Sequence, residues 1–265
     1  MSGKCAPSLL RWGRAAGYVS GFVLPFRRAQ LDAVFLDAGN TLITFDHALV
    51  CGMLAEEGVD ATPAELGRAE AAARPAVSRF LADGISSEGR DTFTFYVTRM
   101  LARLGHDGPD GADLAQRLVA RLRREVPTQR LWSQILPGVP EALRALRADG
   151  LRLVVVSNSD GTVEEGLTAM GLRALLDGVI DSAVVGVEKP DPGIFRHALE
   201  LTGARPERVL HVGDLHAVDV LGARAAGLHA VLLDPHGDWN DVDCARAADL
   251  PSLVQALLGD GGGRT

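Results

Sequence analysis

Short apolar runs, each closed by polar residues and followed by a helical stretch, recur along this chain and leave few folds open to it. Val34-Phe35-Leu36 stops at Asp37, Leu151 to Val156 stops at Ser157-Asn158-Ser159-Asp160, and Val209 to Val212 stops at Gly213-Asp214. Val179 to Asp181 and Ala230 to Leu233 read as two further strands. Strands covered on both faces read as nearly unbroken apolar runs, and their alternation with helices predicts a parallel sheet. The expected fold is α/β, with a doubly wound, Rossmann-like core. In such sheets, ligands bind outside the carboxyl ends of the strands. The polar residues that close the runs therefore share one edge. A single acid after a strand can equally cap a helix, so no one run decides function.

The turn after Asp37 contains Gly39 and Asn40, the two residue types that best tolerate left-handed backbone angles. From Asp46 to Arg130 the pattern is helical. Thr62-Pro63-Ala64-Glu65 is a capping box with proline at the first helical position, and that helix is expected to run to about Leu81. A break covers Gly84 to Gly89, a second helix spans Asp91 to Leu104, and a third spans Asp113 to Glu125. The expected organisation is an α/β core of residues 31–45 and 131–258, with residues 46–130 inserted as a helical unit. Residues 1–30 and 259–265 are expected to be disordered extensions. Ala15 to Phe26 is uncharged but shorter than the about 20 residues that a bilayer span needs, and no convincing signal-peptide cleavage site follows it.

The formal net charge is −7, with no basic face of the kind a nucleic-acid binder presents. Cys5, Cys51 and Cys244 are far apart and form no Cys-x-x-Cys pair, which disfavours zinc and disulfide frameworks and fits a reducing cytoplasm. Trp12, Trp132 and Trp239 are scattered and make no stacking platform. No phosphate-binding Walker loop, dinucleotide fingerprint or nucleophile elbow is present.

The shared edge would collect Asp37, Ser157, Asn158, Asp214 and Asp219, with Lys189 in the proline-braced loop Glu188-Lys189-Pro190-Asp191-Pro192. Clustered carboxylates at an apolar sheet edge call for a cation. Oxygen ligands without a His or Cys group point to magnesium, held by one or two carboxylates together with substrate phosphate oxygens. A carboxylate placed there can attack phosphorus and form an aspartyl phosphate.

Four motifs in order, Asp37-Ala38-Gly39-Asn40-Thr41-Leu42, Val156-Ser157-Asn158, Lys189-Pro190-Asp191-Pro192, and Gly213-Asp214 with Asp219, make the chain similar to the haloacid dehalogenase superfamily hydrolases. The resemblance covers residues 31 to 258 and is to the type with a helical cap inserted after the first motif. It implies that Asp37 is the nucleophile and a metal ligand, and that the Gly39 carbonyl, Asp214 and Asp219 complete a magnesium site. It also implies that Thr41, Ser157, Asn158 and Lys189 serve the substrate phosphate, with Thr41 bracing the turn and Lys189 orienting Asp37. The implied substrate is a small phosphorylated metabolite, and the implied assembly is a monomer or homodimer.

One departure matters. Phosphatases of this family usually carry a second Asp, an acid and base, where this chain has Gly39. Losing such help typically costs about 10²- to 10⁴-fold. A substrate with a good leaving group, a replacement acid (Asp46, His47, Asp160 or His216), or a feebly active binding protein would each accommodate the glycine. Dehalogenases of the family also lack that Asp, but usually carry an aromatic residue there and need no metal.

Overall fold

In the computed structural model, which describes residues 24–259, the apolar runs lie side by side. In chain order the elements are β1 (Ala33–Leu36), β2 (Ile43–Thr44), α1 (His47–Glu56), α2 (Pro63–Leu81), α3 (Arg90–Arg103), α4 (Pro109–Glu125) and α5 (Thr128–Leu131). There follow β3 (Gln134–Ile135), α6 (Val139–Ala148), β4 (Arg152–Ser157), α7 (Val163–Ala169), β5 (Gly178–Asp181), α8 (Ser182–Val185) and α9 (Gly193–Thr202). The chain continues through β6 (Val209–Gly213), a π-helical turn (His216–Val220), α10 (Leu221–Ala225), β7 (His229–Leu233), β8 (Ala245–Ala247) and α11 (Leu250–Gly259).

Six strands form one parallel sheet in the order β5-β4-β1-β6-β7-β8. Side chains alternate across it, as strand geometry requires. Val34 and Leu36 pack with Leu143, Leu146 and Leu253 on one face. Ala33 and Phe35 pack with Ile194, Phe195 and Ala198 on the other. Both faces of β1 are therefore dry, which explains its unbroken apolar sequence and leaves Asp37 as the first polar side chain at its end.

The helices α1 to α4 form a unit with its own core, centred on Leu54, Leu101, Ala115 and Leu118, each completely buried. The capping box is present at α2: the Glu65 amide donates to Thr62 Oγ1 at 3.2 Å, and the Thr62 amide donates to Glu65 Oε2 at 2.9 Å. The chain leaves and returns to the α/β core through a ribbon of β2 and β3, paired antiparallel with Ile43 opposite Ile135. The second contact is a small apolar cluster in which Val77 and Leu81 of α2 meet Val218 of the π-helical turn.

Several elements differ from expectation. The β2–β3 ribbon and β8 are two or three residues long, too short for a hydrophobic period to register. Residues 24–30, expected within a disordered extension, pack on the core. Phe26 is buried there and its ring lies 4.8 Å from that of His229, while Arg28 pairs with Asp149. Burial of the Phe26 ring and the Arg28 contacts with Asp149 both offset part of the cost of ordering this segment. At the other end α11 runs through Gly259. The expectations for residues 1–23 and 260–265 lie outside the described residues. Among the described residues, no helix is long and apolar enough to cross a membrane.

Candidate active site

The carboxyl ends of β1, β4 and β6 open on one cavity of about 130 Å³. At the end of β1 the Asp37 amide still donates to Val212 O, at 2.8 Å, so the position of Asp37 is fixed by sheet pairing. The chain then turns at once. The Leu42 and Ile43 amides both donate to Ala38 O, at 2.9 and 3.1 Å, and Asn40 adopts φ of 52°. This is the left-handed conformation expected of Asn at such a position.

Lys189 is buried and its Nζ donates to Asp37 Oδ1 at 2.6 Å and to Asp219 Oδ1 at 2.8 Å. The Asn158 carboxamide holds that lysine from behind. Its Oδ1 accepts from Lys189 N at 2.7 Å, and its Nδ2 donates to Lys189 O at 2.9 Å. Asp219 is set by the π-helical turn, a geometry frequent at functional sites. Its Oδ2 accepts from Leu215 N at 2.9 Å, and its Oδ1 also lies 3.0 Å from His211 Nε2. Gly213 has to be glycine, because a Cβ there would stand 2.2 Å from Asp219 Cγ.

The helical unit completes the site. Glu70 and Arg74, one turn apart on α2, form a buried pair. Asn40 Nδ2 donates to Glu70 Oε1 at 3.0 Å and to Asp214 Oδ2 at 3.2 Å. Arg74 Nε lies 3.4 Å from that same Asp214 oxygen, and the Tyr96 hydroxyl from α3 donates to Glu70.

These contacts shift the titration of the buried groups in opposite directions. Burial alone would lower Lys189, but Asp219 and Asp37 outweigh it and hold the ammonium charged. Burial raises Asp219, yet Lys189 and His211 reverse this and keep it ionised. Burial also raises Asp37, against the opposing pull of Lys189. Asp214 is pushed up to about 8, by burial first and then by the neighbouring carboxylates, although Arg74 opposes the rise. Burial lowers His211, leaving it neutral.

One oxygen each from Asp37, Asp214 and Asp219 lie within 4.8 Å of one another. Adding Glu70, four carboxylates face two side-chain cations, Lys189 and Arg74; with all four ionised the formal excess is two negative charges, and the raised Asp37 and Asp214 are the groups that a bound cation would bring to the ionised form. An all-oxygen donor set with that excess fits one hard divalent cation such as magnesium.

Of the residues singled out from sequence, Asp37, Gly39, Ser157, Asn158, Lys189, Asp214 and Asp219 all line this cavity. Thr41 does not. The tight turn at Ala38 directs it into the protein, where it is fully buried and its Oγ1 has no partner. The position allows bracing of the turn but no contact with a phosphate in the cavity. Asn158 lines the cavity, but its side chain is committed to the Lys189 backbone and to Ser87 Oγ, at 2.8 Å.

None of the four replacement acids lines the cavity. Asp46 caps α1 and pairs with Arg130. Asp160 accepts from Thr128 and Thr162. His47 packs beside Gly67 of α2, and His216 lies near the Trp239 ring. The sequence reading missed Glu70, Arg74, Tyr96, Glu88 and Trp132. The i, i+4 pair of Glu70 and Arg74 amid Ala69, Ala73 and Val77 on α2 is the one signal that was available. Trp132, read as scattered, lies over the missing acid's position. A Cβ on Gly39 would sit 3.1 Å from Trp132 Cζ3.

Residues 31–227 match the sequence profile of the haloacid dehalogenase-like hydrolases. The chain is 31% identical over 209 residues to haloacid dehalogenase-like hydrolase domain-containing protein 3 of Homo sapiens, spanning 78% of this chain and 83% of that one. It is 31% identical over 244 residues to phosphoglycolate phosphatase of Nitrosospira multiformis, spanning 89% and 96%. In fold it resembles the HAD-hydrolase YfnB of Bacillus subtilis in its magnesium-bound crystal form. There the TM-score is 0.59 at 20% identity, over 86% of this chain and 98% of that one.

Proposed function

The chain belongs to the haloacid dehalogenase-like hydrolases, and from that membership we propose that it is a magnesium-dependent phosphohydrolase that works through an aspartyl phosphate on Asp37. The observation that carries this reading is the cluster of Asp37, Asp214 and Asp219 oxygens within 4.8 Å of one another, with Lys189 bridging two of the three. Asp37, Asp214, Asp219 and the Gly39 carbonyl are the residues that would hold magnesium. When bound, the ion neutralises charge on the transferring phosphoryl group.

Asp37 attacks phosphorus while Lys189 holds the carboxylate in line and balances its charge. The Ser157 hydroxyl, at the cavity wall, is free to donate to a phosphoryl oxygen; its present acceptor is the adjacent Asn158 O, at 3.3 Å. Asn158 keeps the lysine loop in register. Water then attacks the phosphorylated Asp37 and releases inorganic phosphate. The relatives named as phosphoglycolate phosphatase and, at 34% identity over 130 residues, glyceraldehyde 3-phosphate phosphatase support a small phosphorylated metabolite as substrate. The helical cap, residues 46–130, supplies Leu81, Phe93 and Tyr96 to the cavity wall and is the element that selects among such substrates. Among the described residues, Cys51 and Cys244 form no disulfide, in keeping with the reading of a reducing compartment.

The test is Asp37→Asn, assayed for phosphate release from an aryl phosphate with and without magnesium. The substitution abolishes magnesium-dependent release; unchanged turnover would reject Asp37 as nucleophile. A dehalogenase is the second reading, favoured by one observation: the Trp132 ring places an aromatic surface over Gly39. Halide release from a 2-haloacid in the absence of magnesium would select it.

A further inference from the structure

Gly39 cannot donate a proton, and the space its side chain would take is bounded by Trp132. Alkyl phosphates leave as alcohols, so the departing oxygen must gain a proton from somewhere. Outside the Asp37, Asp214 and Asp219 group, one carboxyl lines the cavity: Glu88, in the loop between α2 and α3. It also lines the adjoining cavity of about 90 Å³ beside Gly39, Ser157 and Asn158. We propose that Glu88 of the helical cap is the general acid and base of this hydrolase, in place of the family's second Asp. The proposal rests on the phosphohydrolase reading above.

The loop is fastened to the core at the site itself. Asn158, which anchors Lys189, donates to Ser87 Oγ at 2.8 Å. Ser86 Oγ donates to Glu188 Oε2 at 3.1 Å and accepts from the Glu88 amide at 3.2 Å. Ser86 O accepts from Thr92 Oγ1 at 2.6 Å, tying the loop to α3 as well. Among the described residues, none donates a hydrogen bond to the Glu88 carboxyl. The surrounding protein, and then Asp160 after β4, Glu188 beside Lys189, Asp37 after β1 and Asp181 at the end of β5, all disfavour its ionised form and push it up to about 7. Glu88 as a whole is exposed at the mouth, so solvent screens part of that rise. A carboxyl so placed carries a proton more readily than an ordinary glutamate at neutral pH, and a donor titrating near the working pH is the effective kind.

The chemistry balances. In the first step Asp37 Oδ bonds to phosphorus, the phosphorus–alcohol oxygen bond breaks, and the Glu88 proton passes to that oxygen. In the second, the Glu88 carboxylate takes a proton from water as the water oxygen bonds to phosphorus. The bond to Asp37 breaks, and phosphate leaves.

Glu88→Gln tests this, compared with wild type in first-turnover measurements with magnesium. With p-nitrophenyl phosphate, whose leaving group needs no proton, the variant still gives a stoichiometric burst of nitrophenolate, followed by slow turnover. With small alkyl phosphates, first-turnover alcohol release falls by about 10²- to 10⁴-fold, and the decline of the wild-type rate above neutral pH disappears. Equal losses on both substrate types, or no loss on either, overturn the role of Glu88 alone. A wild-type protein that releases phosphate from neither class overturns the phosphohydrolase reading, and this proposal with it.

Discussion

At the scale of single residues, the site is held by contacts that admit few exchanges. Lys189 shares one ammonium between two carboxylates, at 2.6 and 2.8 Å. Removing one partner of a buried pair typically costs about 3–5 kcal/mol, because the other charge is left uncompensated. Lys189→Met is therefore expected to lower stability by that order as well as activity, measured by urea unfolding beside turnover. Gly39 shows why restoring the usual residue type is not the same as restoring its function. An aspartate there would bring its Cβ to 3.1 Å from the Trp132 ring, which packs 4.1 Å from Phe45 between centroids. Gly39→Asp alone is expected to give no gain on alkyl phosphates. A rise in first-turnover rate would show that Trp132 yields and that no other proton donor is in place.

At the scale of elements, the helical unit depends on how its two ends are tied. Asp46 caps α1 through the Leu49 amide at 3.0 Å and pairs with Arg130 of α5, where the chain returns to the core. Burial alone would raise this carboxyl; Arg130 and the Leu49 amide outweigh it and hold it below its ordinary value. A depressed folded value means that the stabilising effect is present above the unfolded value of about 4 and is lost as pH falls through the folded one. Asp46→Ala is expected to cost about 1 kcal/mol at pH 7, the usual loss of an N-cap. The difference from wild type should shrink below about pH 4. A difference independent of pH would mean that the carboxylate contributes nothing as a charge. The helices α2 to α4 were readable, α2 because Thr62 and Glu65 form a cap by local geometry alone, whereas α1 was not singled out. The β2–β3 ribbon was not, because its pairing joins Ile43 to Ile135 and no local period carries that information.

At the scale of the whole molecule, the formal excess of two negative charges at the sheet edge links cation binding to folding. A ligand that binds only the folded state stabilises it by about 2.7 kcal/mol at a hundred times its dissociation constant. Magnesium should therefore raise the melting temperature, and Asp214→Asn should remove that response. An unchanged melting temperature in wild type at millimolar magnesium would remove the case for a divalent site. The same charge pattern joins the two parts of the molecule: α2 brings Glu70 and Arg74 to Asn40 and Asp214, so the cap and the core meet at the carboxylate end of the cavity as well as at the β2–β3 ribbon.

Sequence alone determined five of the six strands of the sheet, its polarity and the gathering of Asp37, Lys189, Asp214 and Asp219 at one edge. Apolar runs that alternate with helices build a parallel sheet, and parallel strands bring their carboxyl ends to one edge. Tertiary structure alone decided what faces that edge: Glu70, Arg74 and Glu88 from the cap, and the Trp132 ring from the segment before β3. It also decided that Thr41 turns away. Their places follow from how one packed helical unit rests on another layer, and that angle is set by side chains distant in sequence rather than by any local period.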